Sequence, residues 1–271
     1  MTIRANRFLI GCSVLLLAGI VAVAVLEWDR RRQAAVAGAA ILDDAGTSIA
    51  ARDLEDQYRD PEAFARLCDD VKERYHALQQ RYFQLQHTRK TRQTRYDSKG
   101  QIVAISETSY QVQFHNRTEQ KQELERRQLV GKPSLFDPDR VKLEGIDIQL
   151  APPFSEDSPE GLYRYQLEGI EELHGRRLLR VHFEPTRPVE RSFRGSAWID
   201  PDTREPVRMQ ASLAKAKYSV DHFDLILDYG TSENGHNQLR RAVMDMAGGF
   251  ALVSLHYRLE SELNDYREVE N

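Results

Sequence analysis

The fold is decided by the stretch Gly195-Ser196-Ala197-Trp198-Ile199-Asp200-Pro201-Asp202-Thr203. Read at a period of two residues, this stretch begins with a β-strand. A turn follows, because Pro201 has a fixed φ angle and the carboxylate of Asp202 can bond to its own backbone. Alternating apolar and polar residues resume at Val207 and continue towards the C-terminus. Strands that follow one another through short turns predict an antiparallel meander.

The later strands are long. The run from Phe250 to Leu263 alternates over about 14 residues, whereas an average strand has about 5–6. Asn234-Gly235 predicts a hairpin before this run, and Gly248-Gly249 predicts a further turn. A sheet of long, twisted antiparallel strands with one apolar face tends to curl into a barrel or a half-open barrel. Its apolar concave surface must then be filled by helices, by a ligand, or by both.

Strands are also predicted before this meander. Near Phe83 the hydrophobic period changes from about 3.6 to about 2 residues, and the chain reverses at 97–100 and at Asn116-Arg117. Residues Glu119 to Val130 carry many charges and few apolar side chains, which predicts an edge strand protected by solvated side chains. Residues 134–161 contain several prolines and predict an irregular loop.

An amphipathic helix is predicted to begin at Asp60. Aspartate is a good N-cap, Pro61 fits the first helical position, and Glu62 fits the first turn. The apolar residues that follow lie on one stripe of about five turns: Phe64, Leu67, Cys68, Val71, Tyr75, Leu78 and Tyr82. The stripe predicts a helix packed in the concave face of the sheet, and a helix that binds a partner protein is the alternative.

Composition argues against several classes of protein. The chain has 271 residues, of which 41% are apolar, so it can bury the core of one large or two small domains. Charged residues make up 30% and nearly balance at a formal net charge of −4, unlike the clustered basic excess of nucleic-acid-binding proteins. Cys12 lies in an apolar run and Cys68 in the predicted helix, so we expect no disulfide and no zinc site.

Residues 8–25 form an almost uninterrupted apolar run that predicts a membrane-targeting segment. Three interpretations remain open. An uncleaved signal anchor fits the length of the run and Trp28 at its end. A cleaved secretory signal fits the small residues Ala22-Val23-Ala24, and a lipoprotein signal fits Leu9-Ile10-Gly11-Cys12.

The chain is therefore predicted to have three parts. Residues 1–28 form a membrane anchor or signal segment, and residues 29–59 form a linker. Its stretch 33–51 is rich in small side chains, and a weak helix is the alternative there. Residues 60–271 form the folded domain. The predicted fold class is α+β: after the N-terminal segment comes a curved antiparallel β half-barrel, with an amphipathic helix packed in its concave face.

Four short motifs indicate a family resemblance. They are the helix leading into Arg81-Tyr82-Phe83; Val130-Gly131-Lys132-Pro133 with Ser134; Tyr165-Gln166-Leu167-Glu168-Gly169 with Val181-His182-Phe183-Glu184-Pro185; and Gly195 to Asp200 with Asp265-Tyr266-Arg267. From about Asp60 to Glu270 the chain resembles exported bacterial proteins of the superfamily that includes the lipoprotein carriers LolA and LolB and the stress regulator RseB.

The resemblance implies an open half-barrel lidded by helices, with an apolar cavity suited to acyl chains. It also implies a place in the cell envelope, as a periplasmic domain that is anchored to the inner membrane or exported after signal cleavage. It carries over no catalytic residue. The charged strand at 119–127 and an uncleaved anchor are departures from a freely diffusing carrier.

No site for catalysis or metal binding stands out in the sequence. The eight histidines stand singly, and no Gly-x-Ser-x-Gly, Walker, Gly-x-Gly-x-x-Gly or His-Glu-x-x-His motif occurs. Asp200 with Asp202, or Glu171 with Glu172, offers paired carboxylates for a cation, but aspartates around a proline are typical turn residues. We expect no catalytic residue, no metal and no cofactor.

The leading hypothesis is a non-catalytic envelope protein that binds a lipid or an acylated lipoprotein. Each buried methylene contributes about 0.8 kcal/mol, so a groove burying about half of a C16 chain needs no polar motif. The predicted cavity residues are Phe64, Leu67 and Val71 from the helix, and Trp198, Phe223, Leu225, Leu227, Val253, Leu255 and Tyr257 from the strands.

Three alternatives to this hypothesis remain open, of which a hydrolase is the least favoured because the sequence shows no site for it. The helix could fill the barrel and leave no cavity. The chain could also be a membrane-anchored sensor or assembly subunit, RseB-like, that binds another envelope protein through the sheet edge or the loop at 134–161.

Overall fold

A computed structural model describes residues 49–132, 153–155, 158–173, 175–187, 189, 192–215, 220–232, 235–250 and 253–269. The side chains of 49–53, 250 and 253–255 lie outside this description. The predicted anchor or signal segment at 1–28 and most of the predicted loop at 134–161 also lie outside it. In the described ranges, neither helix is both long and apolar enough to cross a membrane.

Within these described ranges, ten antiparallel strands form one curved, open sheet. The strands are β1 (Leu85–Tyr96), β2 (Ile102–His115), β3 (Thr118–Val130), β4 (Tyr163–Leu173), β5 (Arg176–Pro185), β6 (Phe193–Ile199), β7 (Pro206–Leu213), β8 (His222–Thr231), β9 (Asn237–Phe250) and β10 (Val253–Glu268). Their order across the sheet is β3-β2-β1-β10-β9-β8-β7-β6-β5-β4. The predicted meander is confirmed for β6–β10, and β5 and β4 continue it beyond β6. A second meander, β1–β3, joins it because β1 pairs with β10.

In the part of the chain that the structure describes, two helices, α1 (Ile49–Arg59) and α2 (Pro61–Tyr82), precede the sheet. α2 begins where the sequence predicts, because the Asp60 carboxylate accepts hydrogen bonds from the backbone amides of Glu62 and Ala63 at 3.4 and 3.2 Å. α1 corrects the linker prediction for residues 49–59. Leu54 and Tyr58 stand four residues apart on one face of α1 and pack into the domain core, where Tyr58 is only 4% exposed.

Two of the predicted turns form where the sequence places them, and one does not form. The turns at 97–100 and 116–117 are confirmed, and both Asn116 and Arg117 take positive φ angles, as a tight hairpin requires. The turn predicted at Gly248-Gly249 is wrong. Both glycines lie inside β9 and pair with β10. Glycine weakens a strand without ending it, and the pairing with the long β10 carries β9 through this position.

The concave face of the sheet differs between its two ends. We call the part over β4–β9 the apolar half. There α2 covers the concave face, and the core includes the strand residues Phe183, Phe193, Ala197, Met209 and Tyr229. Over β1–β3, the polar half, the same face carries Arg89, Thr91, Gln93, Arg95, Thr108, Tyr110, Glu119, Lys121, Glu123 and Arg126. β10 lies between the two halves and presents Tyr257 and Leu263 to the concave side.

Candidate functional site

An apolar cavity of about 170 Å³ lies between α2 and the concave face of β5–β8. It is lined by Tyr75, Pro153, Phe183, Phe193, Met209, Ala211, Leu225 and Leu227. These side chains are apolar except for the hydroxyl of Tyr75. Apolar cavities of roughly 150 Å³ stay dry and accept a molecule of the size of benzene. The cavity therefore suits a short stretch of hydrocarbon and not a polar ligand, and α2 covers the sheet without filling all of the space beneath it.

The strand register explains why space remains. On the concave face Phe183 lies opposite Gly195, Gly195 opposite Ala211, and Ala211 opposite Leu225. Small residues in the two middle strands therefore stand between large residues in the outer two. Gly195 is also required for the close approach of β7, because a Cβ at this position would collide with the backbone carbonyl oxygen of Gln210.

Tyr75 of α2, which lines the cavity, faces a second buried tyrosine, Tyr229 of β8. Tyr75 is 4% exposed, and its hydroxyl interacts with the side chains of Tyr229 and Gln79. Burial raises the pKa of Tyr75 and raises the pKa of Tyr229 well above its ordinary value. Both phenols are therefore neutral at physiological pH, so the cavity presents no charge to a ligand.

The three helix residues predicted for the cavity lie in the core around it. Leu67 and Val71 are 2% and 1% exposed, and Phe64 packs against the same cluster. The cavity begins one turn further along α2, at Tyr75. Tyr75 belongs to the same apolar stripe, so the predicted helix face is correct and the position along the helix is displaced by one turn.

Two of the predicted strand residues line the cavity directly. Leu225 and Leu227 both contribute to its wall. Phe223, two residues earlier on the same face of β8, lies beside the cavity with its ring centroid 6.1 Å from that of Phe193. This group of β8 residues is therefore brought together as the alternation in the sequence indicates.

The predicted residues of β10 lie two strands away from the cavity wall. Tyr257 is 1% exposed and stands opposite Met246 of β9 on the concave face. The backbones of Val253 and Leu255 pair with β9, and their side chains are outside the described part of the structure. The described side chains of β10 thus belong to the concave surface beyond the cavity.

Trp198 lies on the opposite, convex face, which corrects its assignment to the cavity. Its indole Nε1 donates a hydrogen bond to Glu171 at 3.0 Å, and the guanidinium of Arg180 lies 5.4 Å from its ring centroid. Its neighbours Ala197 and Ile199 face the core, so alternation turns Trp198 outward. Trp198 is therefore buried by charged side chains and not by the core.

Four strand residues of the cavity wall were missed from the sequence: Phe183, Phe193, Met209 and Ala211. Alternation did place Phe183, Met209 and Ala211 on strand faces. It did not show which strands pair, and only the register brings these residues around Gly195. The signal that was available is the recurrence of small residues at 195, 197 and 211 among large apolar ones.

The acidic pairs considered for a cation have structural roles. The carboxylate of Asp200 accepts hydrogen bonds from the backbone amides of Asp202 and Thr203 at 2.8 and 3.1 Å and also pairs with Arg176. Glu171 accepts from Trp198, as described above. Among the residues that the structure describes, no group of three or more His, Cys, Asp or Glu side chains is placed to hold a metal ion.

In the polar half, charged side chains pair with one another. Arg89 forms a two-pronged ion pair with Glu119, with nitrogen–oxygen distances of 2.9 and 3.0 Å, and Lys121 lies 3.6 Å from the same carboxylate. Arg126 donates to Glu123 at 2.8 Å. Burial raises the pKa of Glu119, but Arg89 and Lys121 outweigh this effect and hold the pKa below its ordinary value.

His87 is buried near the end of α2. It is 0% exposed, its ring stacks on Tyr266 with centroids 5.0 Å apart, and its Nε2 lies 3.5 Å from the hydroxyl of Tyr82. Its Nδ1 has no hydrogen-bond partner among the described residues. Burial and the positive charge of Arg89 lower the pKa of His87 to about 4, although Glu119 acts in the opposite direction. His87 is therefore neutral at pH 7.

Comparison of the chain with protein-family models finds no match, and comparison with curated proteins finds none. Comparison with solved structures finds similar chains of low identity. A DUF1329 family protein from Desulfovibrio piger is 13% identical, with a TM-score of 0.38, over 75% of this chain and 92% of that chain. An outer membrane lipoprotein-sorting protein domain from Vibrio parahaemolyticus is 10% identical, with a TM-score of 0.34, over 74% and 93%.

A LolA superfamily protein from Nitrosomonas europaea is 9% identical, with a TM-score of 0.35, over 75% of this chain and 94% of that chain. The proteins from Vibrio parahaemolyticus and Nitrosomonas europaea are described as members of the superfamily to which the sequence motifs point. At these TM-scores the likeness supports no conclusion about ligand or partner, which must be sought in the site itself.

Proposed function

We propose that the chain is a non-catalytic protein of the cell envelope that binds a lipid or an acylated lipoprotein and holds the end of an acyl chain under α2. The observation that carries this proposal is the apolar cavity of about 170 Å³ between α2 and β5–β8. The apolar run at residues 8–25 supports the envelope location, because each interpretation of it directs the domain to or across a membrane.

The size of the cavity sets the expected affinity. A space that accepts a molecule like benzene takes about six carbons, and about six methylenes at 0.8 kcal/mol each contribute about 5 kcal/mol. Such a contribution alone corresponds to weak binding, so the rest of the chain must lie along the concave surface outside the cavity. Met246, which is partly buried, extends that surface beyond β8.

Filling the cavity tests the proposal. Leu225→Trp introduces a larger side chain into the cavity wall, so we expect the delipidated full-length protein to lose about tenfold or more of its affinity for dipalmitoyl phosphatidylcholine or a palmitoylated peptide. The measurement is a titration followed by native mass spectrometry, with thermal unfolding recorded for each variant.

Ile226→Trp is the matched control. Ile226 neighbours Leu225 on β8 and, by alternation, faces the convex side opposite Gln210. We expect this variant to bind as the wild type does. Wild-type protein that binds neither acyl probe, or an equal loss in both variants, would refute the proposed function.

A second function is favoured by the edge of the sheet. β3 is an outer strand, and its side chains Leu124, Leu129 and Val130 are 54%, 49% and 43% exposed. Unpaired strand edges with exposed apolar residues accept extended segments of other chains. This supports the alternative of a membrane-anchored sensor or assembly subunit that binds another envelope protein. A photo-crosslinker placed at Leu124 that recovers only this protein itself would contradict it.

A further inference from the structure

A cation with no partner among the described residues lies where the polar half meets β10. Arg95 of β1 stands on the concave face opposite Tyr257 of β10 and Ala104 of β2. It is partly buried, and Gln93, the next residue on the same face, is 9% exposed. Among the described residues, the guanidinium of Arg95 forms no hydrogen bond or ion pair.

Unlike Arg95, the neighbouring cations of the concave face form ion pairs. Arg89 and Lys121 share the carboxylate of Glu119, and Arg126 donates to Glu123. Removing a charge from water without a counter-charge costs free energy, so a partly buried guanidinium gains more from an added anion than a paired one does. Of the cations on this face that the structure describes, Arg95 is therefore the one suited to receive an anionic group.

Arg95 and the cavity are joined by one cross-strand row of apolar residues, of which Met246 and Phe223 are partly buried and Tyr257 is 1% exposed. Across four neighbouring strands the concave face presents Arg95, Tyr257, Met246 and Phe223 as successive cross-strand partners. Three strand spacings of about 4.8 Å place Arg95 about 14 Å from Phe223, which lies beside the cavity. One leaflet of a bilayer has a hydrocarbon thickness of about 15 Å, half of the full core, so an acyl chain is long enough to bridge the two.

We propose that the concave face binds an anionic amphiphile, with the end of its acyl chain in the cavity and its anionic head group on Arg95. This inference rests on the proposed lipid-binding function and names the class of ligand. Phosphate and carboxylate share the chemistry that the site recognises, because a guanidinium donates two parallel hydrogen bonds to either group.

The test compares lipids with the same chains and different heads. Delipidated full-length protein is titrated with dipalmitoyl phosphatidylglycerol, dipalmitoyl phosphatidylcholine and palmitate, and binding is followed by native mass spectrometry. We expect Arg95→Gln to weaken binding of phosphatidylglycerol, palmitate or both by about tenfold or more, because a charge-assisted pair of hydrogen bonds is lost. Loss with phosphatidylglycerol identifies a phosphate site, and loss with palmitate identifies a carboxylate site.

Arg92→Gln is the matched control. Arg92 lies on the convex face of the same strand, 3.8 Å from Glu107 and with its side chain 50% exposed, so we expect no change in lipid binding. The inference is overturned if the wild type binds phosphatidylglycerol and phosphatidylcholine equally and Arg95→Gln changes the binding of neither phosphatidylglycerol nor palmitate. The proposed function is intact in that case. No binding of any of the three probes by the wild type overturns both.

Discussion

The two halves of the concave face are held together by different interactions within one continuous sheet. In the apolar half α2 covers large side chains such as Phe183, which is 0% exposed. In the polar half the same side of the sheet carries the ion pair of Arg89 with Glu119. Curvature of the sheet therefore does not by itself require an apolar filling. A face that changes from apolar to charged along one direction suits a ligand that changes in the same way.

The largest expected effect is in the apolar half. Phe183→Ala removes a fully buried ring from the cavity wall, and we expect a loss of about 3–5 kcal/mol in the free energy of unfolding. Phe114→Ala in the polar half removes a ring that is only partly buried, so the expected loss is about half as large. Urea unfolding followed by circular dichroism measures both, and equal losses would show that the halves do not differ in packing.

Local patterns in the sequence predicted the elements and many of the faces. Asp60 and Pro61 marked the start of α2, and alternation placed Leu225 and Leu227 on the concave face. The pairing of β1 with β10 joins residues about 170 positions apart, and no local pattern encodes it. The cavity also depends on strand pairing, because the space at Gly195 is set by the residues that lie opposite it on β5 and β7. Those partners cannot be identified from a local pattern.

The assignment of Trp198 shows a second limit. Alternation separates the two faces of a strand but does not say which one is buried by the core. A large aromatic residue favours the core on average, yet here the guanidinium of Arg180 and the carboxylate of Glu171 cover the indole. Similarly, the sequence does not indicate that charged residues of the polar half lie on the concave side of the sheet.

The buried histidine of the polar half, His87, makes the stability of the protein depend on pH. The pKa of His87 is about 4 in the folded protein, below its ordinary value of 6.5, so the unfolded chain binds a proton there at a higher pH than the folded chain does. Stability is therefore lost as pH falls from 6.5 to 4, by about 3 kcal/mol in total. His87→Phe should remove this part of the acid sensitivity, as measured by urea unfolding at pH 7 and pH 5.

His115→Gln is the control for this experiment. His115 ends β2 and is exposed, so its replacement should leave the difference between the two pH values unchanged. A His87→Phe variant with the same acid sensitivity as the wild type would show that the buried imidazole does not couple folding to pH.

The smallest expected effect compares two acidic residues of one strand, β3. The side chains of Glu119 and Arg89 are 30% and 16% exposed, whereas those of Glu125 and Arg127 are 52% and 64% exposed. At pH 7 we expect Glu119→Gln to reduce the free energy of unfolding by about 1–2 kcal/mol and Glu125→Gln by less than about 0.5 kcal/mol. Because salt screens exposed pairs more strongly, only the Glu119 effect should persist in urea unfolding at high salt.

The pH dependence of this pair has a definite sign. Because the pKa of Glu119 is lowered in the folded protein, its contribution is present above the ordinary value of 4.5 and is lost as pH falls through the lowered value. The Glu119→Gln variant should therefore approach the wild type in stability at acid pH. Equal effects of the two substitutions at pH 7 would mean that position on the concave face adds nothing to an ion pair. The two halves would then differ in composition and not in how they stabilise the sheet.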